Sequence, residues 1–117
     1  MVNAVPSDSV AGQCALSVVI PAYNAVTTIG EQLEALAAQH WSRPWEVLVV
    51  NNRSTDGTVA VALGYASRLP RLRVVDANER QGAAYAMNTG VRAAASDHIA
   101  FCDADDVVAA GWVRAMG

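Results

Sequence analysis

Four short apolar runs, separated by segments of helical periodicity, constrain the fold of this chain more than any other feature. The runs are rich in Val and Ile and about four to six residues long, which is typical of strands that are covered on both faces. Strands that alternate with helices predict a doubly wound α/β fold, with right-handed crossovers and a mainly parallel sheet. The predicted strands are Ala15–Ile20, Glu46–Val50, Leu72–Val75 and His98–Cys102.

Three helices are predicted between these strands, and a fourth begins near Ala109. The first should start at a capping box, Thr28–Glu31, and the second at the turn Asp56–Thr58. Gly82 opens a third, Ala-rich helix, which Gly90 allows to approach the sheet closely. The positions that the helical period turns toward the core are Ile29, Leu33, Leu36 and Ala37, then Val59, Ala62, Leu63 and Ala66, then Tyr85, Met87, Val91 and Ala94.

Composition limits the classes of protein to which the chain can belong. A length of 117 residues allows one domain, and a hydrophobic content of 53% is ample for its core. We expect residues 1–14 to be a flexible lead-in and residues 15–117 to form the domain. The formal charge of −3 comes without a basic patch, so a nucleic acid is not an expected partner.

The expected compartment is the cytoplasm. No apolar run approaches the roughly 20 residues that span a bilayer, so no membrane segment is expected in this chain. The N-terminus lacks the basic and apolar regions of a secretion signal. The two cysteines, Cys14 and Cys102, have no zinc-site spacing, and free thiols indicate a reducing environment.

A polar cluster follows each predicted strand. In doubly wound sheets the ligand crevice lies beyond the carboxyl ends of the strands, and parallel strands bring these ends to one edge. The four clusters should therefore form one site. They are Pro21–Asn24, Asn51–Ser54, Asp76–Asn78 and Asp103–Asp106.

Asp103 and Asp105 are the candidate metal ligands at this edge. If the strand conformation continues, its period of two places both carboxylates on one side, with Ala104 between them. Two hard oxygen ligands suit Mg²⁺ or Mn²⁺, which commonly bridge to phosphate oxygens. The alternative is an acidic loop or a helix cap, in which Asp105 or Asp106 caps the segment Val107–Met116.

Two common phosphate-binding fingerprints are absent from the sequence. No Gly-x-Gly-x-x-Gly follows the first predicted strand, and no Gly-x-x-x-x-Gly-Lys-Ser/Thr occurs anywhere. A dinucleotide dehydrogenase and a P-loop NTPase are both disfavoured. A phosphate-handling site built on a metal remains.

Four segments, in this order and spacing, resemble the inverting nucleotide-sugar glycosyltransferases of family two. The resemblance runs from Leu16 to the end of the chain and implies the GT-A fold, whose nucleotide-binding half is Rossmann-like. It also implies transfer of a sugar, with inversion, from a nucleotide-diphosphate donor to a glycan, lipid or small-molecule acceptor. The segments are Ser17–Asn24, Val47–Thr58, Asn78–Gly90 and Ile99–Asp106, followed by Gly111 and Trp112.

The resemblance also implies roles for single residues. Ala22 and Tyr23 would line the nucleobase slot, Asp103 would face the ribose or the metal, and Asp105 would be the main metal ligand. Arg80 could neutralise a phosphate, or be a solvated loop arginine. The full implied donor-binding set is Pro21, Ala22, Tyr23, Asn24, Asn52, Arg80, Asp103, Ala104 and Asp105.

The chain departs from the family pattern at Asn51 and Asn52, where acidic residues are usual. An amide oxygen can still accept a hydrogen bond from a nucleobase imide, although the bond is weaker by about 1 kcal/mol. Asn24 is as well suited to a turn as to a donor contact.

Members of this family normally continue well beyond the metal motif. The general base is therefore expected beyond Gly117, and we expect this chain to be the donor-binding half. Its uncovered face would permit self-association, and the full-length protein could sit peripherally at the inner membrane face. A non-catalytic nucleotide-binding module and a sugar-phosphate nucleotidyltransferase are the alternatives. The latter should carry a Gly-rich, basic loop where this chain has Tyr23–Val26.

Overall fold

A computed structural model of the protein describes residues 14–69 and 71–117. Residues 1–13 of the predicted lead-in lie outside them, and Cys14, its last residue, is buried. Strands and helices alternate along the described chain as the sequence predicts. They are β1 (Leu16–Ala22), α1 (Ile29–Ala37), β2 (Trp45–Asn51), α2 (Thr58–Leu63), β3 (Leu72–Asp76), α3 (Ala83–Ala93), β4 (Ile99–Phe101) and α4 (Trp112–Met116).

The four strands form one parallel sheet in the order β3-β2-β1-β4. In the register, Val18 of β1 lies between Val47 of β2 and Ala100 of β4. β1 and β2 are central and almost fully buried, which explains their continuous apolar sequences. The α/β doubly wound class is confirmed.

Two apolar layers cover the sheet. On one face, Ile29, Leu33 and Leu36 of α1 pack with the first core cluster, which also contains Ala62 of α2. On the other face, Ala86 of α3 belongs to a smaller cluster with β1 and β2. Small residues on α3 therefore set a short distance between that helix and the sheet.

Gly90 is the point of closest approach of α3 to the sheet, as predicted. A Cβ atom at this position would collide with Cγ1 of Val19 and lie 3.1 Å from Cγ2 of Val50. The absence of a side chain is therefore a packing requirement at Gly90.

Several local predictions are wrong. Thr28 makes no side-chain capping bond to α1, and its hydroxyl instead donates to the Ala25 carbonyl. Leu63, Ala66 and Val91 are exposed, because α2 and α3 bury only narrow stripes centred on smaller residues.

The last strand also differs from its prediction. β4 has three residues instead of five and lies at an edge of the sheet. Phe101 at its end is exposed, because the described chain places no neighbouring strand beyond β4.

A buried carboxylate joins the amino-terminal ends of the strands. Glu46 of β2 accepts hydrogen bonds from the Ser17 hydroxyl and from the Ala95 backbone N–H, both at 2.6 Å. Its other oxygen accepts from the Arg73 guanidinium at 2.9 Å. Arg73 also donates to the Ala93 carbonyl at the end of α3. The network satisfies the buried charge and connects three strands with one helix end.

No helix in the described part of the chain is both long enough and apolar enough to cross a bilayer.

Candidate functional site

The order of the sheet creates a switch point between β1 and β4. The chain proceeds from β1 to β2 and β3 on one side, and then returns to place β4 on the other side of β1. Ligand crevices of doubly wound sheets form where the strand order reverses in this way. The Cys102 N–H donates to the Val19 carbonyl at 3.2 Å, so the acidic segment begins beside β1.

The segment after β1 offers an aromatic ring at this point. Pro21 and Ala22 are the last residues of β1, and Ala22 is buried while Tyr23 is 56% exposed. The exposed ring is a surface on which a base can stack.

Asn24 connects the loop after β1 with the loop after β2 through hydrogen bonds. It has a left-handed backbone, with φ of 45°, which asparagine tolerates better than most residues. Its side-chain oxygen accepts from the Thr55 N–H at 2.7 Å, and its own N–H donates to the Ser54 hydroxyl at 3.0 Å. Asn24 therefore has the turn role that the sequence left open.

Asn52, to which the resemblance gives a donor-binding role, makes four hydrogen bonds within the chain. Its side-chain N–H groups donate to the carbonyls of Ala77 at 2.6 Å and Arg80 at 2.7 Å. Its oxygen accepts from the Gln81 side chain at 3.0 Å and from the Gly82 N–H at 2.9 Å. Two donors already occupy the amide oxygen that an imide N–H would need. Asn52 organises the loop between β3 and α3.

Asn51 is less fully engaged than Asn52. Its amide donates to the Asp76 carboxylate at 3.2 Å and accepts from the Ser54 N–H. Within the described residues, both asparagines connect loops at this edge of the sheet.

Arg80 lies in the loop between β3 and α3 and is exposed. Its carbonyl is held by Asn52, while its guanidinium lies 5.8 Å from the centre of the Tyr85 ring. Among residues 14–69 and 71–117 it forms no ion pair with a carboxylate. Arg53 plays a different part, because its guanidinium donates to the carbonyls of Asn78 and Glu79.

The acidic segment forms a turn, so the period-two argument for it is wrong. The strand ends at Phe101, and the Asp106 N–H bonds back to the Asp103 carbonyl at 3.3 Å. Ala104 is buried, whereas Asp103 and Asp105 are exposed. Both carboxylates still lie at the carboxyl edge, but a turn sets their directions.

Two glutamines that the sequence reasoning missed, Gln32 in α1 and Gln39 just after it, hold this turn and the chain after it. Gln32 is fully buried, donates to the Asp103 carbonyl at 2.8 Å and accepts from the Val108 N–H at 2.9 Å. Gln39 donates to the Ala109 carbonyl and accepts from the Val113 N–H, both at 3.0 Å. A polar residue at position 32, within the apolar stripe of α1, was the available signal.

Replacing Gln32 with leucine should lower the free energy of unfolding by about 1–2 kcal/mol, because two backbone groups lose their partners. Amide hydrogen exchange followed by NMR should become faster at Val108. The matched change, Gln39→Leu, should instead accelerate exchange at Val113. Unchanged exchange at Val108 in the Gln32→Leu protein would contradict the role of this glutamine.

A cleft of about 320 Å³ opens beside the acidic turn. Asp103, Asp106 and Trp112 line it, together with Cys102. Burial, reinforced by the nearby charges of Asp103 and Asp106, raises the pKa of the Cys102 thiol to about 12. The thiol is therefore neutral at physiological pH and is not a nucleophile.

Asp103 and Asp105 suit a hard cation, but they could hold one only together with further oxygen ligands from outside the chain. Within the described residues, Asp103 and Asp105 form no ion pair, and their exposed carboxylates have the chemistry that Mg²⁺ and Mn²⁺ prefer. No group of three or more His, Cys, Asp or Glu side chains in that part of the chain is placed to hold a metal. Phosphate oxygens and water would have to complete the coordination, as is usual for Mg²⁺.

Comparison with known proteins identifies the family. The model of the family described as Glycosyl transferase family 2 matches residues 17–116. YibD of Escherichia coli K12, named as an uncharacterized glycosyltransferase, is 39% identical over 93 residues, which cover 80% of this chain and 26% of YibD.

Solved structures agree with this comparison. The structure of TarS 1-349 from S. aureus in complex with UDP-GlcNAc has a TM-score of 0.76 and 29% identity, covering 86% of this chain and 29% of that one. The mannosyltransferase PcManGT from Pyrobaculum calidifontis, in complex with GDP-Man and Mn²⁺, has a TM-score of 0.71 and 35% identity, covering 81% of this chain and 28% of that one. The chain spans less than a third of the length of each of these three proteins. From the extent of the family match and its agreement with the fold, the chain belongs to glycosyltransferase family 2 and has the nucleotide-binding part of a GT-A fold.

Proposed function

We propose that this chain binds a nucleotide-diphosphate sugar, and that the protein transfers the sugar to an acceptor hydroxyl with inversion. The observation that supports the proposal is the shared carboxyl edge of the sheet, where Tyr23 follows β1 and where Asp103 and Asp105 follow its neighbour β4. The exposed aromatic ring suits a base, and the exposed carboxylates suit a cation on a diphosphate.

The relatives support the same donor chemistry. The TarS structure contains UDP-GlcNAc, and the PcManGT structure contains GDP-Man together with Mn²⁺. The family match, residues 17–116, includes the strands and the acidic turn that form the proposed site.

Each residue has a distinct task in this proposal. The backbone at Pro21 and Ala22 and the ring of Tyr23 form the base slot, while Asp103 and Asp105 hold the cation. Mg²⁺ or Mn²⁺, when bound there, offsets the charge of the diphosphate leaving group. Arg80 supplies a further positive charge near the phosphates.

Calorimetric titration with UDP, GDP and TDP, with and without Mn²⁺, tests the proposal. We expect metal-dependent binding of one nucleotide, weakened at least about tenfold in Asp105→Asn, because a charged ligand of the cation is lost. Asp97→Asn is the matched control, since this exposed carboxylate precedes β4 at the opposite edge of the sheet. Its affinity should equal that of the unaltered protein.

Two results would reject the donor site. One is the absence of binding to all three nucleotides, and the other is an equal loss of affinity in the Asp105→Asn and Asp97→Asn proteins. Circular dichroism spectra of both variants exclude unfolding as the cause of a weaker signal.

The acceptor site and the general base are assigned to parts of the relatives that this chain does not match. Inversion needs a base that removes the acceptor proton during attack on the anomeric carbon. A cytoplasmic location is part of the same proposal, supported by the two free thiols, Cys14 and Cys102.

We further propose that a second copy of the chain can cover the α3 face next to the edge strand β4. Val91 on α3 is 42% exposed, and β4 is an edge strand of the sheet that the described residues form. Analytical ultracentrifugation should detect a concentration-dependent dimer, which Val91→Lys weakens. Leu63→Lys is the control, because Leu63 is also apolar and exposed, at 55%, but lies on α2. A monomer at every concentration would contradict the proposal.

A further inference from the structure

A second cavity lies at the opposite rim of the sheet from the proposed donor site. Its volume is about 300 Å³. The connection from α1 to β2 and the connection from α2 to β3 form its walls, and it reaches the first residues of both strands, Trp45 and Leu72. We refer to this space, lined by some of residues 37–47 and by residues 68, 69, 71 and 72, as the amino-edge cavity.

Positive charge is concentrated around this cavity. The sequence has eight cationic side chains, all of them arginines, and a net charge of −3. Three of the eight, Arg43, Arg68 and Arg71, line the amino-edge cavity, and none of the described acidic residues does. A cleft lined by one sign of charge raises the local concentration of ions of the opposite sign.

Only one of the three arginines is neutralised within the described residues. Arg68 makes a two-point ion pair with Glu34, at 2.7 and 2.5 Å. Arg43 lies 5.7 Å from the centre of the Trp41 ring and forms no ion pair in that part of the chain, and neither does Arg71. Two guanidinium groups are therefore available to the cavity.

Apart from Gln39, the rest of the lining is apolar. It includes Pro44, Trp45, Leu69 and Leu72. A concave apolar surface with a few charged groups is typical of a small-molecule site. Unpaired arginines beside an apolar surface favour a ligand that has an anionic group and an apolar or sugar-like body.

We propose that the amino-edge cavity binds the phosphate group of a phosphorylated molecule, with Arg43 and Arg71 as its ligands and Trp45 beside the body of the molecule. Guanidinium groups bind phosphate through paired hydrogen bonds, and they remain positively charged at any physiological pH. The phosphate belongs either to a soluble metabolite or to a lipid headgroup, and the test separates these sources.

This site is separate from the donor site. β2 runs from Trp45 at the cavity to Asn51 at the carboxyl edge, and seven residues at roughly 3.3 Å each span about 20 Å. A ligand in the amino-edge cavity cannot contact a nucleotide at Tyr23 and Asp105. Occupancy of the two sites should therefore be measurable independently.

NMR of the tryptophan side chains locates the binding without any mutation. Inorganic phosphate and glycerol 3-phosphate should shift the indole N–H signal of Trp45, which lines the cavity. Trp112 lines the cleft at the acidic turn and reports on the other edge. Movement of the Trp112 signal with an unchanged Trp45 signal would overturn the proposal.

Variants then test the two arginines. Arg43→Gln/Arg71→Gln should weaken phosphate binding at least about tenfold, since each charged hydrogen bond contributes about 1.5–3 kcal/mol. The double variant Arg92→Gln/Arg114→Gln has the same net charge and alters exposed arginines that do not line the cavity. If both double variants weaken phosphate binding equally, the loss comes from the non-specific effect of net charge, and the proposed site is rejected.

Vesicles distinguish the source of the phosphate. Co-sedimentation with phosphatidylcholine vesicles that contain phosphatidylglycerol, lost in Arg43→Gln/Arg71→Gln, supports a lipid headgroup. Binding of glycerol 3-phosphate without co-sedimentation supports a soluble ligand. Failure of both probes to bind the unaltered protein rejects the proposal.

Discussion

Replacing Glu46 with alanine is expected to lower the free energy of unfolding by about 3 kcal/mol, the largest effect of any substitution considered for this chain. The carboxylate is an acceptor for the Ser17 hydroxyl and the Ala95 N–H, and it pairs with Arg73. Alanine leaves the buried Ser17 hydroxyl without its acceptor, which costs about 1–3 kcal/mol, and removes the partners of the exposed Ala95 N–H and of Arg73. Urea denaturation followed by far-UV circular dichroism measures the change.

Glu34→Ala is the matched control for this prediction. Glu34 also pairs with an arginine, but its side chain is 53% exposed, against 5% for Glu46. Exposed ion pairs contribute about 0–1 kcal/mol, because water solvates both charges after the pair is broken. Equal costs for the two alanine variants would show that burial does not determine the contribution of Glu46.

Replacing Gly90 with alanine is expected to destabilise the protein by about 2 kcal/mol. Alanine favours the helix over glycine by about 1 kcal/mol, but its Cβ would overlap Val19 and press on Val50. Both valines lie on the two central strands, which are packed on both faces and have little room to shift. We expect an overpacking cost at the upper end of about 1–3 kcal/mol, because a Cβ at this position would lie closer to Val19 than real Cβ contacts allow; after subtraction of the helical gain, a net loss of about 2 kcal/mol remains.

Gly30→Ala is the control that separates packing from helix propensity. A Cβ at Gly30 in α1 would have its nearest neighbour, Cγ1 of Val61, at 3.7 Å, an ordinary contact. This variant should be as stable as the original protein or more stable, by up to about 1 kcal/mol. Thermal and urea denaturation of both variants give the comparison, and a stabilised Gly90→Ala protein would contradict the packing argument.

The carboxyl edge of the sheet shows which structural features local sequence patterns can predict. The β-α alternation was readable because each segment carries its own period and each parallel strand delivers its end to the same rim. The exposed positions of Tyr23, Asp103 and Asp105 at that rim follow from connectivity alone.

Contacts between distant segments decided what the sequence did not. Gln32 donates a hydrogen bond to the carbonyl of Asp103, 71 positions away. This contact helps hold the acidic segment in a turn, whereas the local sequence pattern predicts that the strand continues. Asn52 has the chemistry of a base-binding amide, yet groups 25 to 30 positions away use its hydrogen-bonding capacity.

The sequence by itself therefore determined the α/β class, the parallel sheet, the shared edge of the polar clusters and the family. Only the tertiary structure decided which polar side chains at that edge are occupied, where β4 stops, and that unpaired arginines meet at the opposite rim. The physical reason is that periodicity and connectivity act along the chain, whereas hydrogen-bond partners, steric contacts and burial are set by residues that meet only after folding.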